Sequence, residues 1–267
     1  MKLISWNING YRAVTGQNAS RRYDVVEKKN KLFAYLEAEK PDLICLQEIK
    51  GELDKINPEL QTPPGYESHY HICRSKKGYS GVAVFTKLKP KRVITEFGIE
   101  RFDIEGRFIR LDFDDFTLLN IYFPKGYTDN ERLDYKLEFY DAIYDYLKTL
   151  KKKTKNIIIS GDYNTAHKEI DLARPKDNVN ISGFLEVERI KMDWLPENGF
   201  VDAFRLFNSE GGHYSWWSQR GQARANNVGW RIDYHFISGG LKKSAKNCYM
   251  QPDVLGSDHC PVVLELK

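Results

Sequence analysis

The sequence predicts a single α/β domain over residues 1–267, in which two β-sheets pack face to face and helices cover their outer surfaces. Three observations support this prediction. Strand-like and helix-like segments alternate in the first half, and several strand-like runs are too apolar for a strand with one face in water. The second half begins again with such a run. No Pro-, Gly- or Ser-rich linker separates the halves, so we expect one domain built from two similar α/β halves.

Two amphipathic helices are expected in the first half. Residues 24–39 carry apolar side chains at helical spacing and stop before Pro41, because the residue before a proline disfavours the helical backbone. A longer helix is expected from Asp129 to Leu150. Its apolar face consists of Leu133, Leu137, Tyr140, Tyr144 and Leu147. The basic run "KTLKKKTKN" (148–156) is interpreted as the solvated end of this helix, with a DNA-facing patch as the alternative.

Strands are expected where apolar and β-branched residues run together or alternate with polar ones. In the first half these segments are "KLISWNI", "DLICLQEI", "SGVAVFTK", "RVITEF" and the hairpin "RFIRLDFDDFTLLNIYFP", which turns at Asp114 and Asp115. In the second half they are "NIIISGDYN", "GWRIDYHFIS" and "PVVLELK". Since the last strand directly follows "GSDHC", we expect Asp258 and His259 to lie on a loop held by rigid structure.

Composition is that of a globular protein, with 41% apolar and 29% charged residues. No apolar run is long enough to cross a membrane, so we expect no membrane partner and a cytoplasmic location, nucleoid-associated in a prokaryote. The net charge of +4 permits a polyanionic partner without requiring one. The four cysteines lack C-x-x-C spacing, which predicts buried reduced thiols and argues against a zinc site.

Polar residues of a particular kind end five of the apolar strands. They are Asn7, Asn9, Gln47, Glu48, Asn120, Tyr122, Asp162, Asn164 and Asp233. Gathering carboxylates is costly unless a cation or a substrate charge requires them. Carboxylate and amide oxygens suit Mg²⁺, whereas a single available histidine and no thiolate argue against zinc. The sequence therefore predicts a site for a hard metal, Mg²⁺ first and Mn²⁺ as a substitute.

Six motifs extend this pattern along the whole chain: "SWNING", "DLICLQEIK", "IYFPKG", "GDYNTAH", "NVGWRIDY" and "GSDHCPV". In this order they resemble the exonuclease III family of apurinic/apyrimidinic (AP) endonucleases. The resemblance implies a four-layer α/β sandwich with two mixed β-sheets. It also implies a monomer that acts on double-stranded DNA with abasic or damaged sites, cleaves 5′ to the abasic site with Mg²⁺, and has 3′-5′ exonuclease activity. A less specific DNase or a 3′ exonuclease is the first alternative, followed by a non-catalytic DNA-binding module and by a lipid or inositol phosphatase.

The resemblance also implies roles for individual residues. Glu48 matches the principal metal ligand, and Asn9 and Asp258 match residues placed near the metal. Asp162 matches the group that orients or deprotonates the attacking water, and Asn164 matches a group that helps to position that water.

Three further residues, Asn7, Tyr122 and His259, match groups that hold the scissile phosphate. The same resemblance implies that Asp233 hydrogen-bonds His259, fixes its tautomer and raises its pKa, so that a cation faces the charge developing on the phosphate. The alternative is an Asp-His pair that closes the sheet edge, for which a mutation would cost only stability.

Trp216, Trp230 and Ile232 match a pocket that receives an extruded abasic sugar, although tryptophans in strands are more often core residues. The loop between the tryptophans suits a DNA groove and carries Arg220, Gln222, Arg224, Asn226 and Asn227. Further phosphate contacts are expected from Arg12, Lys77, Tyr79, Ser80, Asn178 and Asn180, with a solvated surface position as the alternative for any one of them.

Lys125 departs from the family pattern, because many members have Asn at this position of "IYFPKG". An ammonium there is able to hydrogen-bond a carbonyl of an intact damaged base such as uracil, which predicts additional incision at deaminated bases. A phosphate contact is the simpler alternative.

Overall fold

The computed structural model describes residues 1–17, 30–126 and 130–267. The strands in chain order are β1 (Lys2–Asn7), β2 (Leu43–Gln47), β3 (Glu67–His71), β4 (Val82–Thr86), β5 (Arg92–Ile94), β6 (Phe108–Asp112), β7 (Thr117–Tyr122), β8 (Ile157–Asp162), β9 (Phe200–Asp202), β10 (Trp216–Trp217), β11 (Gly229–Trp230), β12 (Asp233–Ser238), β13 (Ala245–Met250) and β14 (Val262–Leu266). The helices are α1 (Tyr11–Val14), α2 (Lys31–Glu39), α3 (Pro58–Gln61), α4 (Glu100–Asp103), α5 (Asn130–Lys151), α6 (Pro175–Asn178) and α7 (Glu186–Glu197). Short 3-10 turns lie at Leu53–Lys55, Glu169–Asp171, Phe204–Leu206 and Gly239–Leu241.

Most of the strands form two six-stranded mixed sheets. One has the order β13-β14-β1-β2-β4-β3 and the other the order β5-β6-β7-β8-β12-β9. Each sheet has one parallel pair, β1 with β2 and β7 with β8, whose neighbours pair antiparallel. Strands β10 and β11 form a separate two-stranded ribbon that pairs Trp216 with Trp230.

Three hydrophobic clusters give the molecule its layers. The middle cluster joins the facing sides of the two sheets, for example Leu43 with Leu118. A second cluster packs α5 and α7 on the outer side of β8 at Ile159, and a third packs α2 on the outer side of β1 at Ile4. The order helix, sheet, sheet, helix confirms the predicted four-layer α/β sandwich.

Several predicted elements end at different residues. The helix expected over 24–39 is observed from Lys31, and its first six residues, like Asp129 of the second helix, lie outside the described residues. The segment "GWRIDYHFIS" forms two strands, β11 and β12, instead of one. It is interrupted because the Arg231 N–H donates to the Asp171 carbonyl (2.7 Å) and the Ile232 N–H donates to Ser215 Oγ (3.1 Å), outside the sheet ladder.

The predictions for the cysteines and for the basic run that ends α5 are confirmed. The four cysteines are free and buried, and Lys148 and Lys151 lie in the last turn of α5, as expected for a helix end. Among the described residues, no helix combines the length and the apolar character that a membrane crossing needs.

The sheet register brings the polar strand ends to one edge of the sandwich. Asn7 at the end of β1 pairs with Gln47 at the end of β2. Tyr122 at the end of β7 pairs with Asp162 at the end of β8, and Asp233 at the start of β12 lies opposite Asp162 on its other side. Strand ends from both sheets therefore meet here.

Candidate active site

A cleft of about 530 Å³ opens at this edge, and most of the predicted catalytic residues line it. Those that line it are Asn9, Glu48, Tyr122, Asn164, Asp258 and His259. The other three, Asn7, Asp162 and Asp233, are almost fully buried directly behind it. The structure thus brings together residues that lie up to 252 positions apart in the chain.

His259 and Asp233 form a buried pair. His259 Nδ1 lies 2.8 Å from Asp233 Oδ2, and His259 Nε2 lies 3.9 Å from Asp162 Oδ2. Burial alone would lower the pKa of His259, but the charge of Asp233 and its hydrogen bond raise the pKa to about 10. The imidazole is therefore cationic at neutral pH, with Nε2 directed toward the Asp162 carboxylate.

Asp162 is held by hydrogen bonds from both sides. Its Oδ1 accepts the backbone N–H of Asn164 (2.8 Å), and its Oδ2 accepts Nδ2 of Asn7 (2.8 Å). Burial and the neighbouring Asp233 carboxylate raise the pKa of Asp162 to about 7. A carboxylate with a pKa near neutral is suited to proton transfer at physiological pH.

Glu48 and Asn9 share one ammonium group. The Glu48 carboxylate accepts Asn7 Nδ2 (2.9 Å) at Oε1 and pairs with Lys50 at Oε2. Lys50 Nζ also donates to Asn9 Oδ1 (2.7 Å), and Asn9 Nδ2 donates to Asp258 Oδ1 (2.8 Å). Burial opposes ionisation of Glu48, but the charge of Lys50 lowers its pKa below the ordinary value.

The backbone at the cleft adopts an uncommon conformation. Asn9, Glu48, Lys50, Ser80 and Asn164 have φ between 46° and 56°, a left-handed region that side chains other than glycine rarely adopt. Such outliers cluster at functional sites, where the surrounding structure enforces them. Four of these five residues, all except Ser80, lie one to three residues after the end of a strand. The backbone turns at these positions and directs polar side chains into the cleft.

The donor set fits a hard divalent cation. Carboxylate oxygens of Glu48 and Asp162 lie within 4.8 Å of each other and of a ring nitrogen of His259, whose cationic form leaves ligation to the oxygens. The Asn9 amide oxygen accepts the same Lys50 ammonium that pairs with Glu48, so it lies near these carboxylates. Asp233 Oδ1 is buried without a hydrogen-bond partner, and more carboxylates than cationic side chains meet here. Oxygen ligands with an excess of negative charge suit Mg²⁺ or Mn²⁺.

The predicted sugar pocket forms one wall of the cleft. Trp216 and Trp230 meet edge to face with ring centroids 6.2 Å apart, and Ile232 is buried beneath them. Gly183 closes the pocket from below, since an added Cβ would come within 3.1 Å of the Trp230 ring. Trp216 Nε1 donates to Asp258 Oδ2 (3.1 Å), which joins the pocket to the predicted metal site.

Trp217 differs from the other two tryptophans of this region. It is buried in a core cluster with Tyr214 and Cys260, away from the cleft. Its indole N–H donates to Asn227 Oδ1 (3.2 Å), and Asn227 Nδ2 donates to the Gly212 carbonyl (2.8 Å). The side chain of Asn227, expected at the DNA, is thus engaged in holding its own loop.

Arg224 fastens the same loop to the segment before His259. Its guanidinium donates to the carbonyls of Pro252 (2.7 Å), Val254 (2.8 Å) and Ser257 (2.9 Å). Arg220, in contrast, is exposed at the tip of the loop. The expected groove contact therefore falls on the tip, while Arg224 supports the loop from behind.

The other predicted DNA contacts are spread over the surface around the cleft. Lys125 is exposed, with Nζ 5.9 Å from the centroid of the Trp216 ring. Arg12 is half-buried in α1, and Lys77 is exposed. Asn178 Nδ2 donates to the Arg174 carbonyl (2.7 Å), and Asn180 lines a different surface groove.

Tyr79 lies at the cleft with two arginines that the sequence did not single out. Its hydroxyl accepts Arg107 (2.9 Å) and Arg132 (2.6 Å), and the buried Arg107 guanidinium also lies 4.7 Å from the Tyr122 ring centroid. Ser80, next to Tyr79, is buried at the cleft edge. No local motif indicates these arginines: Arg107 directly precedes β6, and Arg132 lies in α5.

Known proteins resemble this chain in both sequence and fold. The Endonuclease/Exonuclease/phosphatase family matches residues 4–259. An exodeoxyribonuclease from Bacillus subtilis is 43% identical over 265 residues, which cover 99% of this chain and 98% of that protein. A DNA-(apurinic or apyrimidinic site) endonuclease from Dictyostelium discoideum is 40% identical over 98% of this chain and 69% of its own length. The crystal structure of the AP endonuclease LMAP from Leishmania major superposes with a TM-score of 0.86 at 32% identity, covering all of this chain and 87% of that one.

Proposed function

This chain belongs to the endonuclease/exonuclease/phosphatase family, and from that premise we propose that it is a DNA repair nuclease that cleaves 5′ to abasic sites. It is a hydrolytic nuclease, as its exodeoxyribonuclease and AP endonuclease relatives indicate. The proposed substrate is duplex DNA with an abasic site, and the proposed metal is Mg²⁺.

The observation that carries the substrate proposal is the pocket of Trp216, Trp230 and Ile232 beside the catalytic carboxylates. It is apolar and is joined to Asp258 by the Trp216 indole N–H. Such a pocket accepts a deoxyribose without its base and excludes a stacked nucleotide. A phosphodiesterase acting on lipids or inositol phosphates has no need of this wall.

The chain's own residues supply most of the chemistry. Asp162, with a pKa near neutral, takes a proton from the attacking water, which Asn164 orients from the adjacent loop. Cationic His259 and the Tyr122 hydroxyl face the phosphate and stabilise the charge that develops on it. Asn7 aligns Glu48 with Asp162 by donating to both. A bound divalent ion would add charge stabilisation for the departing 3′ oxygen.

The test uses three matched duplexes that contain one abasic site, one uracil or neither, each incubated with Mg²⁺ and with EDTA. We expect Mg²⁺-dependent nicking directly 5′ of the abasic site and little cleavage of the intact duplex. Equal nicking of all three would support a general DNase instead. Release of single nucleotides from 3′ ends, without internal nicking, would support the 3′ exonuclease alternative.

Incision at uracil is a second candidate activity, and the position of Lys125 favours it. Its exposed ammonium lies beside the Trp216 wall of the pocket, where it is able to donate to a base carbonyl. Lys125→Asn should lower uracil cleavage about tenfold relative to abasic cleavage, because one charged hydrogen bond is lost. An unchanged ratio of the two rates would assign Lys125 to a phosphate contact.

A further inference from the structure

The proposed reaction assigns no task to two lysines of the cleft, Lys50 and Lys76, and of these two Lys50 contacts the predicted metal ligands Glu48 and Asn9. We propose that Lys50 is an internal counter-cation of the metal site, which occupies Glu48 and Asn9 in the metal-free protein and is displaced when a divalent ion binds. The inference rests on the proposed metal-dependent function and deepens it.

The contacts of Lys50 coincide with those expected for the metal. Its ammonium pairs with Glu48 Oε2 and donates to Asn9 Oδ1 (2.7 Å), which are the carboxylate and amide oxygens expected to ligate the ion. The remaining groups of these two residues are also engaged, Glu48 Oε1 by Asn7 and Asn9 Nδ2 by Asp258. A divalent ion that uses these oxygens must therefore take the position of the ammonium.

The backbone around Lys50 is fixed, so displacement involves the side chain alone. The Lys50 N–H donates to the Ser80 carbonyl (2.8 Å), and the Ile49 N–H donates to the Gly81 carbonyl (3.0 Å). On the other side, the Glu48 and Ile49 carbonyls accept the N–H groups of residues 10 and 11, each at 2.8 Å. Ile49 itself is fully buried between the two polar side chains.

The head group is nevertheless free to move. The Lys50 side chain is 35% exposed, compared with 15% for Glu48, so the ammonium reaches the open cleft. A lysine head on a four-carbon stem relocates at little cost, whereas two cations on the same oxygens repel each other strongly. Lys50 thus orients Glu48 and Asn9 before the metal arrives, at the expense of metal affinity.

The test measures Mn²⁺ binding without DNA, from the free Mn²⁺ signal in electron paramagnetic resonance. Lys50→Met removes the competing cation and should tighten Mn²⁺ binding about tenfold. Lys50→Arg, which keeps the charge, should stay within about threefold of wild type. Lys76→Met is the matched control, since Lys76 lines the same cleft, lies over the Tyr79 ring and makes no contact with Glu48 or Asn9.

A second readout separates competition from a simple structural role. In EDTA, Lys50→Met should unfold at a lower temperature than wild type, and Mn²⁺ should raise its midpoint by more than it raises that of wild type. Lys50→Gln repeats both measurements in case the methionine variant folds poorly. Binding of Mn²⁺ to Lys50→Met that is equal to or weaker than wild type would overturn the proposal for Lys50 alone. Failure of wild type and all variants to bind Mn²⁺ would overturn the metal-dependent function as well.

Discussion

Two of the ionic clusters among the described residues differ in their charge balance. The arginine cluster contains Asp171, Asp202, Arg205 and Arg231. Asp171 Oδ1 accepts from Arg231 (2.8 Å) and Arg205 (2.5 Å), and Arg231 also pairs with Asp202 at 2.7 Å. Two carboxylates thus meet two guanidinium groups, and the charge of Arg231 lowers the pKa of Asp171 although burial opposes it.

The cleft cluster contains Glu48, Asp162, Asp233 and His259, so that three carboxylates face one imidazolium. Even with Lys50 counted, negative charge remains in excess. Here burial and a neighbouring carboxylate raise the pKa of Asp162 to about 7. Balanced clusters hold a fold together, whereas an unbalanced buried cluster is retained where a cation or a charged transition state completes it.

Asp162→Asn should produce the largest effect on activity and no loss of folding. We expect cleavage of an abasic duplex to fall by roughly 10²–10³ or more, because proton transfer and charge stabilisation are lost together. Single-turnover cleavage and a thermal unfolding scan measure the two effects. A loss smaller than tenfold would remove Asp162 from its proposed role.

Asp171→Asn should lower the stability of the protein and leave the activity of the folded molecules nearly unchanged. It leaves the buried Arg231 and the half-buried Arg205 with one carboxylate, so the free energy of unfolding should fall by about 3–5 kcal/mol. Denaturant unfolding measures this loss, and cleavage per folded molecule should stay within about twofold of wild type. A folded variant that has lost its activity would place the arginine cluster in the catalytic machinery and end the contrast.

Divalent metal should stabilise the protein through the cleft cluster. At a Mg²⁺ concentration about a hundred times the dissociation constant, linkage adds about 2.7 kcal/mol to the free energy of unfolding. The thermal midpoint of wild type should therefore rise by several degrees, and Glu48→Gln should abolish the rise. An equal rise in Glu48→Gln would show that the ion binds elsewhere.

The pH dependence of stability in EDTA should show a smaller effect. Asp162 has its pKa raised from 3.8 in the unfolded chain to about 7 in the folded protein, so its contribution favours folding most at low pH and declines as pH rises through 7. Asp162→Asn lacks this decline. The free energy of unfolding of Asp162→Asn relative to wild type should rise by roughly 1–2 kcal/mol between pH 6 and pH 8, and its thermal midpoint should rise with it. A constant difference would mean that Asp162 keeps an ordinary pKa.

The two clusters also differ in how well the sequence alone predicts them. Residues at strand ends were predictable because an apolar run followed by Asp, Glu or Asn is visible locally, and sheet register then gathers those ends. Edge strands β3, β9 and β13 were not predicted, since an edge strand buries less surface and its apolar alternation is weak.

Buried ion pairs between segments that lie far apart in the chain could not be predicted from the sequence either. The fully buried Lys136 donates to Glu188 (2.6 Å) and to the Asn164 carbonyl (2.7 Å), yet nothing near either charged residue in sequence indicates burial. The same holds for Arg231 and Asp171, which are 60 residues apart. A charged residue becomes a buried partner only through tertiary packing, which local periodicity does not encode.

The most direct test is a crystal structure with Mn²⁺ and a duplex whose abasic site carries a non-hydrolysable 5′ linkage. We expect an anomalous peak for Mn²⁺ at Glu48, none at the arginine cluster, and the extruded sugar against Trp216 and Trp230. The phosphate should lie beside His259 and Asp162. A peak away from Glu48, or an abasic sugar left outside the pocket, would contradict the account.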